Sequence, residues 1–198
     1  MNATSTTLPA PKLEWKPPAR GRVAMYALIA AEAAIFTIFV VAYLFYIGKS
    51  LSGPTPSEVL SPPFLYTVCL LSSSLTIHLA GKSLRGGNVR GFGAWWLLTI
   101  IFGALFLYGT ASEWHRLIYK DGLTINTNLF GTTYYSLVGL HAFHVIMGLL
   151  GLTTVMVFAI FGAVKQEYAE RIDVLSLYWH FVDAVWIVVF TVVYVIGR

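Results

Sequence analysis

The chain has 198 residues, 57% hydrophobic and 15% aromatic, with a mean hydropathy of +0.72 and a formal net charge of +4. Its 13 basic and 9 acidic residues are too few to solvate a soluble domain of this length, so the chain reads as an integral membrane protein. Spans of about 20 residues leave room for about five helices and no separate soluble domain, and the unbroken apolar runs argue against a β-barrel.

Residues 1–22 are polar, carry Pro9, Pro11, Pro17 and Pro18, and read as a flexible tail. They do not resemble a cleaved signal peptide, whose apolar core is shorter than the run that follows. The spacing of apolar runs predicts an all-α bundle of five transmembrane helices forming a single domain over 23–198. The spans are expected at 23–47, 64–84, 92–119, 130–164 and 174–196. A loop with Gly53, Pro54, Pro56, Pro62 and Pro63 separates the first two. No internal repeat or low-complexity tract interrupts them.

Lys and Arg set the expected orientation. With the N-terminus inside, that side holds Lys12, Lys16, Arg20, Arg22, Lys82, Arg85, Arg90, Lys165 and Arg171. The other side holds Lys49, Arg116, Lys120 and Arg198. The imbalance favours a cytoplasmic N-terminus and an external C-terminus. The positive charge is therefore a topology signal, and with no nucleic-acid motif present it does not point to nucleic acid.

Ionisable groups inside apolar runs are costly and ask for a partner or a task. Glu32, on the first span, lies roughly 14 Å along it at 1.5 Å per residue, close to the midplane. Small neighbours Ala30, Ala31, Ala33 and Ala34 admit close approach of another helix or of water. Glu32 is either a proton-handling site or a neutral carboxyl linking two helices. His141 and His144 lie three apart on the fourth span, hence on one face. His180 and Asp183 repeat that spacing on the fifth. Such a set suits a hydrogen-bonded polar seam, with Asp183 accepting from an imidazole, and in principle a zinc, iron or manganese site. Haem ligation is a third option, since His78 on the second span could pair with His141 or His144.

Glu113, Trp114 and His115 close the third span beside Arg116 and read as an outer interfacial cluster, a Trp anchor with polar neighbours reaching the headgroups. The Trp and Tyr residues near span ends fit aromatic belts. Cys69, the single cysteine, lies in an apolar run, which excludes a disulfide framework, a zinc ribbon and a cysteine-ligated iron–sulfur cluster. No phosphate loop, Ser–His–Asp order, His-Glu-x-x-His or Cys-x-x-Cys occurs, so nucleophilic catalysis and phosphoryl transfer have no visible machinery.

Four stretches resemble subunit III of the haem–copper terminal oxidases, the cytochrome c and quinol oxidases. Phe130-Gly-Thr-Thr-Tyr-Tyr-Ser-Leu-Val-Gly-Leu-His141-Ala-Phe-His144-Val-Ile-Met-Gly148 is similar to the family's GSTFF…GFHGLHVIIG. Tyr178-Trp179-His180-Phe181-Val182-Asp183-Ala184-Val185-Trp186 nearly repeats YWHFVDVVW. Ala31-Glu32 matches the buried SE, and Ala111-Ser112-Glu113 the family's ASE. Their order agrees over about residues 23–197.

The resemblance implies an accessory subunit of the bacterial cytoplasmic membrane, packed on catalytic subunit I and associated with subunit II. Haem and copper then belong to those partners, with no cofactor or metal on this chain. His141, His144, His180 and Asp183 become structural polar residues, and Glu32 matches a carbodiimide-reactive carboxyl linked to proton uptake. The family also holds phospholipid, protects the oxidase during turnover, and can enter larger respiratory supercomplexes. Its long form has seven spans with a lipid cleft between the first two and the last five. This chain is expected to correspond to the short five-helix form and to supply one wall. His78 has no motif counterpart. The alternatives are a subunit III-like partner of a nitric oxide reductase, a b-type membrane cytochrome, and a small proton-linked transporter.

Overall fold

The computed structural model describes residues 20–197, so the segment 1–19 of the expected tail lies outside the described residues. Among the described residues, five helices are long and apolar enough to cross a membrane. They are α1 (Arg20–Tyr46), α3 (Phe64–Arg85), α4 (Val89–Tyr119), α5 (Leu129–Ile160) and α6 (Ala169–Phe190). A one-turn helix, α2 (Pro56–Val59), sits in the loop after α1, and a 3-10 turn (Gln166–Tyr168) leads into α6. No strand occurs among the described residues. The chain is a multi-pass membrane protein built as an all-helical bundle.

Helix ends follow local chemistry more than hydropathy. Asn88 and Asn128 cap α4 and α5, their side-chain oxygens each accepting from a backbone N–H three residues on at 2.8 Å. The fourth span was expected to reach Val164, but α5 stops at Ile160. Gly162 takes φ +71°, its N–H reaches the Ala159 carbonyl, and Ala163 N–H reaches that of Phe158. This is the paired closing motif that ends a helix at a left-handed glycine. α6 begins five residues before the expected start at 174, and in its first turns both oxygens of Asp173 accept from Nη1 of Arg85 on α3, at 2.7 and 2.9 Å. Hydropathy marks the membrane-crossing part of a helix and misses its polar ends.

α6 packs against α1, α3 and α5, while α4 lies against α3 and α5. Tryptophans form the joints. Trp179 is fully buried. Its ring lies between Gly103 of α4 and Gly148 of α5, where an added Cβ would come within 2.8 Å of it, a use of small residues typical of membrane helices. Its N–H donates to Ser73 of α3 at 2.7 Å, Trp186 donates to Thr67 at 3.2 Å, and Trp96 donates to the Leu152 carbonyl at 2.9 Å. These indoles are interior ties and not belt residues. By contrast α1 buries only Phe36 and Tyr43 among 27 residues.

Beyond α6 the backbone widens into a π-helical turn over Thr191–Ile196. This turn carries Tyr194 into the interior, 3% exposed.

Candidate functional site

Glu32 and the residues of the expected polar seam occupy three separate places. The first joins α1 to α5. His144 Nδ1 lies 2.8 Å from the Leu140 carbonyl and Nε2 lies 3.1 Å from Glu32 Oε2. A carbonyl only accepts, so Nδ1 carries a proton. The Nε2–Oε2 contact must then also hold one. That proton sits on the imidazole, giving an ion pair, or on the carboxyl, giving a neutral hydrogen bond. Glu32 and His144 thus form a contact with one shared proton at the edge of the bundle. The imidazole side chain is 7% exposed and the carboxyl 23%. Phe36 packs on the imidazole at 4.9 Å, and the Tyr178 hydroxyl donates to the His144 carbonyl at 3.2 Å.

The second place joins α3 to α6. Ser74 donates to Asp183 Oδ2, and its oxygen lies 3.0 Å from His180 Nδ1. Since the single hydroxyl proton goes to Asp183, Nδ1 is the donor in the second contact. The order is imidazole N–H to hydroxyl to carboxylate. Asp183 is 3% exposed. Its acceptor contact is with Ser74, where an imidazole was expected, and Ser74 was not singled out in the sequence. A cavity of about 190 Å3 opens beside this group, lined by His78 and His180 with Arg85 and Asp173. His78 therefore shares a cavity with His180, apart from the contacts made by His141 and His144.

Between these places lies His141, fully buried. It stacks on Trp186 at 5.0 Å and meets Phe106 and Phe36 edge-on. Neither ring nitrogen has a hydrogen-bond partner among the described residues. Among these residues no group of three or more His, Cys, Asp or Glu is close enough to hold a metal ion.

The expected outer cluster divides as well. Glu113 turns inward and accepts from the Tyr194 hydroxyl at 2.7 Å. Trp114 packs on Tyr135, whereas His115 is exposed and stacks on Tyr119. Arg116 donates to the Val59 carbonyl at 2.9 Å. The partner of Glu113 comes from the π-helical turn, which no sequence pattern announces.

The sequence profile of the cytochrome c oxidase subunit III family matches residues 22–198. Cytochrome c oxidase subunit 3 of Alkalihalophilus pseudofirmus is 33% identical over 171 residues, covering 85% of this chain and 83% of that protein. Its counterpart in Synechocystis is 36% identical over 177 residues, covering 85% and 72%. Quinol oxidase subunit 3 of Bacillus subtilis is 28% identical over 174 residues, covering 87% and 85%.

Proposed function

The chain belongs to the cytochrome c oxidase subunit III family, and from that premise we propose that it is an accessory subunit of a respiratory haem–copper oxidase. The complex reduces oxygen to water with proton translocation, accepting electrons from cytochrome c or a quinol. Haem and copper reside in partner subunits I and II, and this chain supports assembly, holds phospholipid and aids proton uptake. It works in the bacterial cytoplasmic membrane with its N-terminus inside, the orientation that the distribution of Lys and Arg favours, and is free to enter a larger respiratory supercomplex. Residues 23–198 act as one transmembrane domain behind a short N-terminal tail.

The observation that carries the proton role is the Glu32–His144 contact. Its Nε2–Oε2 hydrogen bond holds one proton that can sit on either partner, near the midplane and on a side chain still 23% exposed. His141, His180, Asp183 and Ser74 are assigned structural roles in the core. Glu113 is assigned to fixing the C-terminal turn through Tyr194.

The test is Glu32→Gln in the assembled oxidase. A glutamine keeps the shape and can donate its amide N–H to Nε2, so packing survives while the exchangeable carboxyl proton is lost. Proton-uptake kinetics during turnover should slow, or the catalytic lifetime should shorten. If both stay at wild-type values, Glu32 has only a structural role.

A further inference from the structure

Helix α6 packs against α1, α3 and α5, and one side of it stays open. That side runs through Leu177, His180, Ala184, Ile187, Val188 and Thr191, spaced three or four apart and therefore on one face. Ala184, Ile187, Val188 and Thr191 are exposed, and Leu177 and His180 are partly so. Two hollows lie along this strip. At the end marked by the Arg85–Asp173 pair is the cavity of about 190 Å3 between α3 and α6, lined by Leu177, His78 and His180. About two turns further along, α6 and α1 leave a groove of about 200 Å3 lined by Phe36, Val40, Val185 and Val188.

The first hollow is polar where lipid offers nothing polar. His78 is exposed and lies roughly 10 Å before Arg85, the end of α3. His180 donates through Nδ1 to Ser74, which leaves Nε2 of the neutral ring free to accept. Acyl chains can neither donate to that nitrogen nor pair with His78, so lipid covers this side of the bundle at a cost. The outward side of α4 is the contrast. There Leu97, Ile101 and Leu105 are exposed, and all are apolar, so lipid covers them without loss.

Together the hollows describe an occupant. It is a membrane-crossing helix laid along α6. A hydroxyl or amide side chain on it enters the first hollow and pairs with His78 and His180. A bulky apolar side chain, about two turns away on the same helix face, fills the second. The geometry points to this strip as the surface on which the catalytic subunit docks, recognised through a hydrogen-bonding side chain opposite the two imidazoles. The assignment rests on the oxidase reading and adds to it a face and a recognition chemistry.

The test uses the intact oxidase in native membranes, with p-benzoylphenylalanine placed at Ile187 or, on α4, at Ile101. Irradiation should join this chain to the catalytic subunit from Ile187 and not from Ile101. In a second arm, a tag on this chain captures the complex and the catalytic subunit retained through detergent washing is measured. His78→Leu should lower that retention about fivefold, and His78→Gln should lower it less, because an amide still donates and accepts. Stability of the separated chain should be unchanged in both, since the position is exposed. An adduct with the catalytic subunit from Ile101 and not Ile187, Ile187 adducts only with lipid or a second copy of this chain, or wild-type retention in His78→Leu overturns the docking face. A tagged chain that captures no catalytic subunit overturns the oxidase reading itself and, with it, the named partner.

Discussion

Two carboxylate–imidazole groups cross the interior, and they differ in what surrounds them. Asp183 is closed in between α3 and α6, reached through Ser74 and flanked by the Trp179 and Trp186 ties. Glu32 lies on α1, a helix that buries only two of its residues, and meets His144 of α5. The same chemistry therefore serves two purposes. In the core Ser74 links the His180 imidazole to Asp183 Oδ2 and so holds α3 to α6. At the edge a proton can move to either partner and the carboxyl is still reachable.

The comparison predicts a ranking of effects. The largest belongs to the joint beside Asp183. Trp179→Ala removes a fully buried indole from a slot formed by two glycines and should cost about 3–5 kcal/mol, read from unfolding of the purified chain in detergent. A loss below that of an edge substitution would break the contrast. Asp183→Ala strands the Ser74 hydroxyl and should cost about 1–3 kcal/mol, with Asp183→Asn costing less because an amide oxygen still accepts. Glu32→Gln should change stability by under about 1 kcal/mol, since a donor to His144 is kept.

If the two groups are independent, Glu32→Gln and Asp183→Asn combined should sum to within about 0.5 kcal/mol. A larger coupling would restore the single polar seam expected from the sequence. The smallest effect lies outside the membrane. Glu58 accepts from the Thr55 backbone N–H at 2.9 Å, and this contact, with the Thr55 side chain, holds its carboxyl below the usual range. A lowered folded value means the contribution is present above the ordinary carboxylate range and fades as pH falls through the lowered one. The protection of the Thr55 amide, its exchange rate relative to that of an unstructured amide at the same pH, should therefore fall at acid pH, and protection independent of pH would rule out the cap.

The place of each helix along the chain was legible in the sequence, and its rotation was not. Continuous apolar runs located the helices to within about five residues. Pairing depends on which way each helix faces and on small residues of the neighbours, which carry no periodic signal. Hence Ser74, a serine among three in a row, was passed over although it joins His180 to Asp183. Trp179 and Trp186 stood beside His180 in a recognisable motif, yet Gly103 and Gly148 give Trp179 its place. Glu113 read as a headgroup contact because it lies near a span end. The π-helical turn is what brings Tyr194 to it.

The central claim is that this chain serves a haem–copper oxidase while carrying no redox centre of its own. Mild-detergent purification through a tag on this chain, with mass spectrometry of its partners and an optical spectrum of the separated chain, tests it most directly. The account predicts co-purification with a haem–copper catalytic subunit and a separated chain without haem absorption. A chain that purifies alone and carries stoichiometric haem would contradict it.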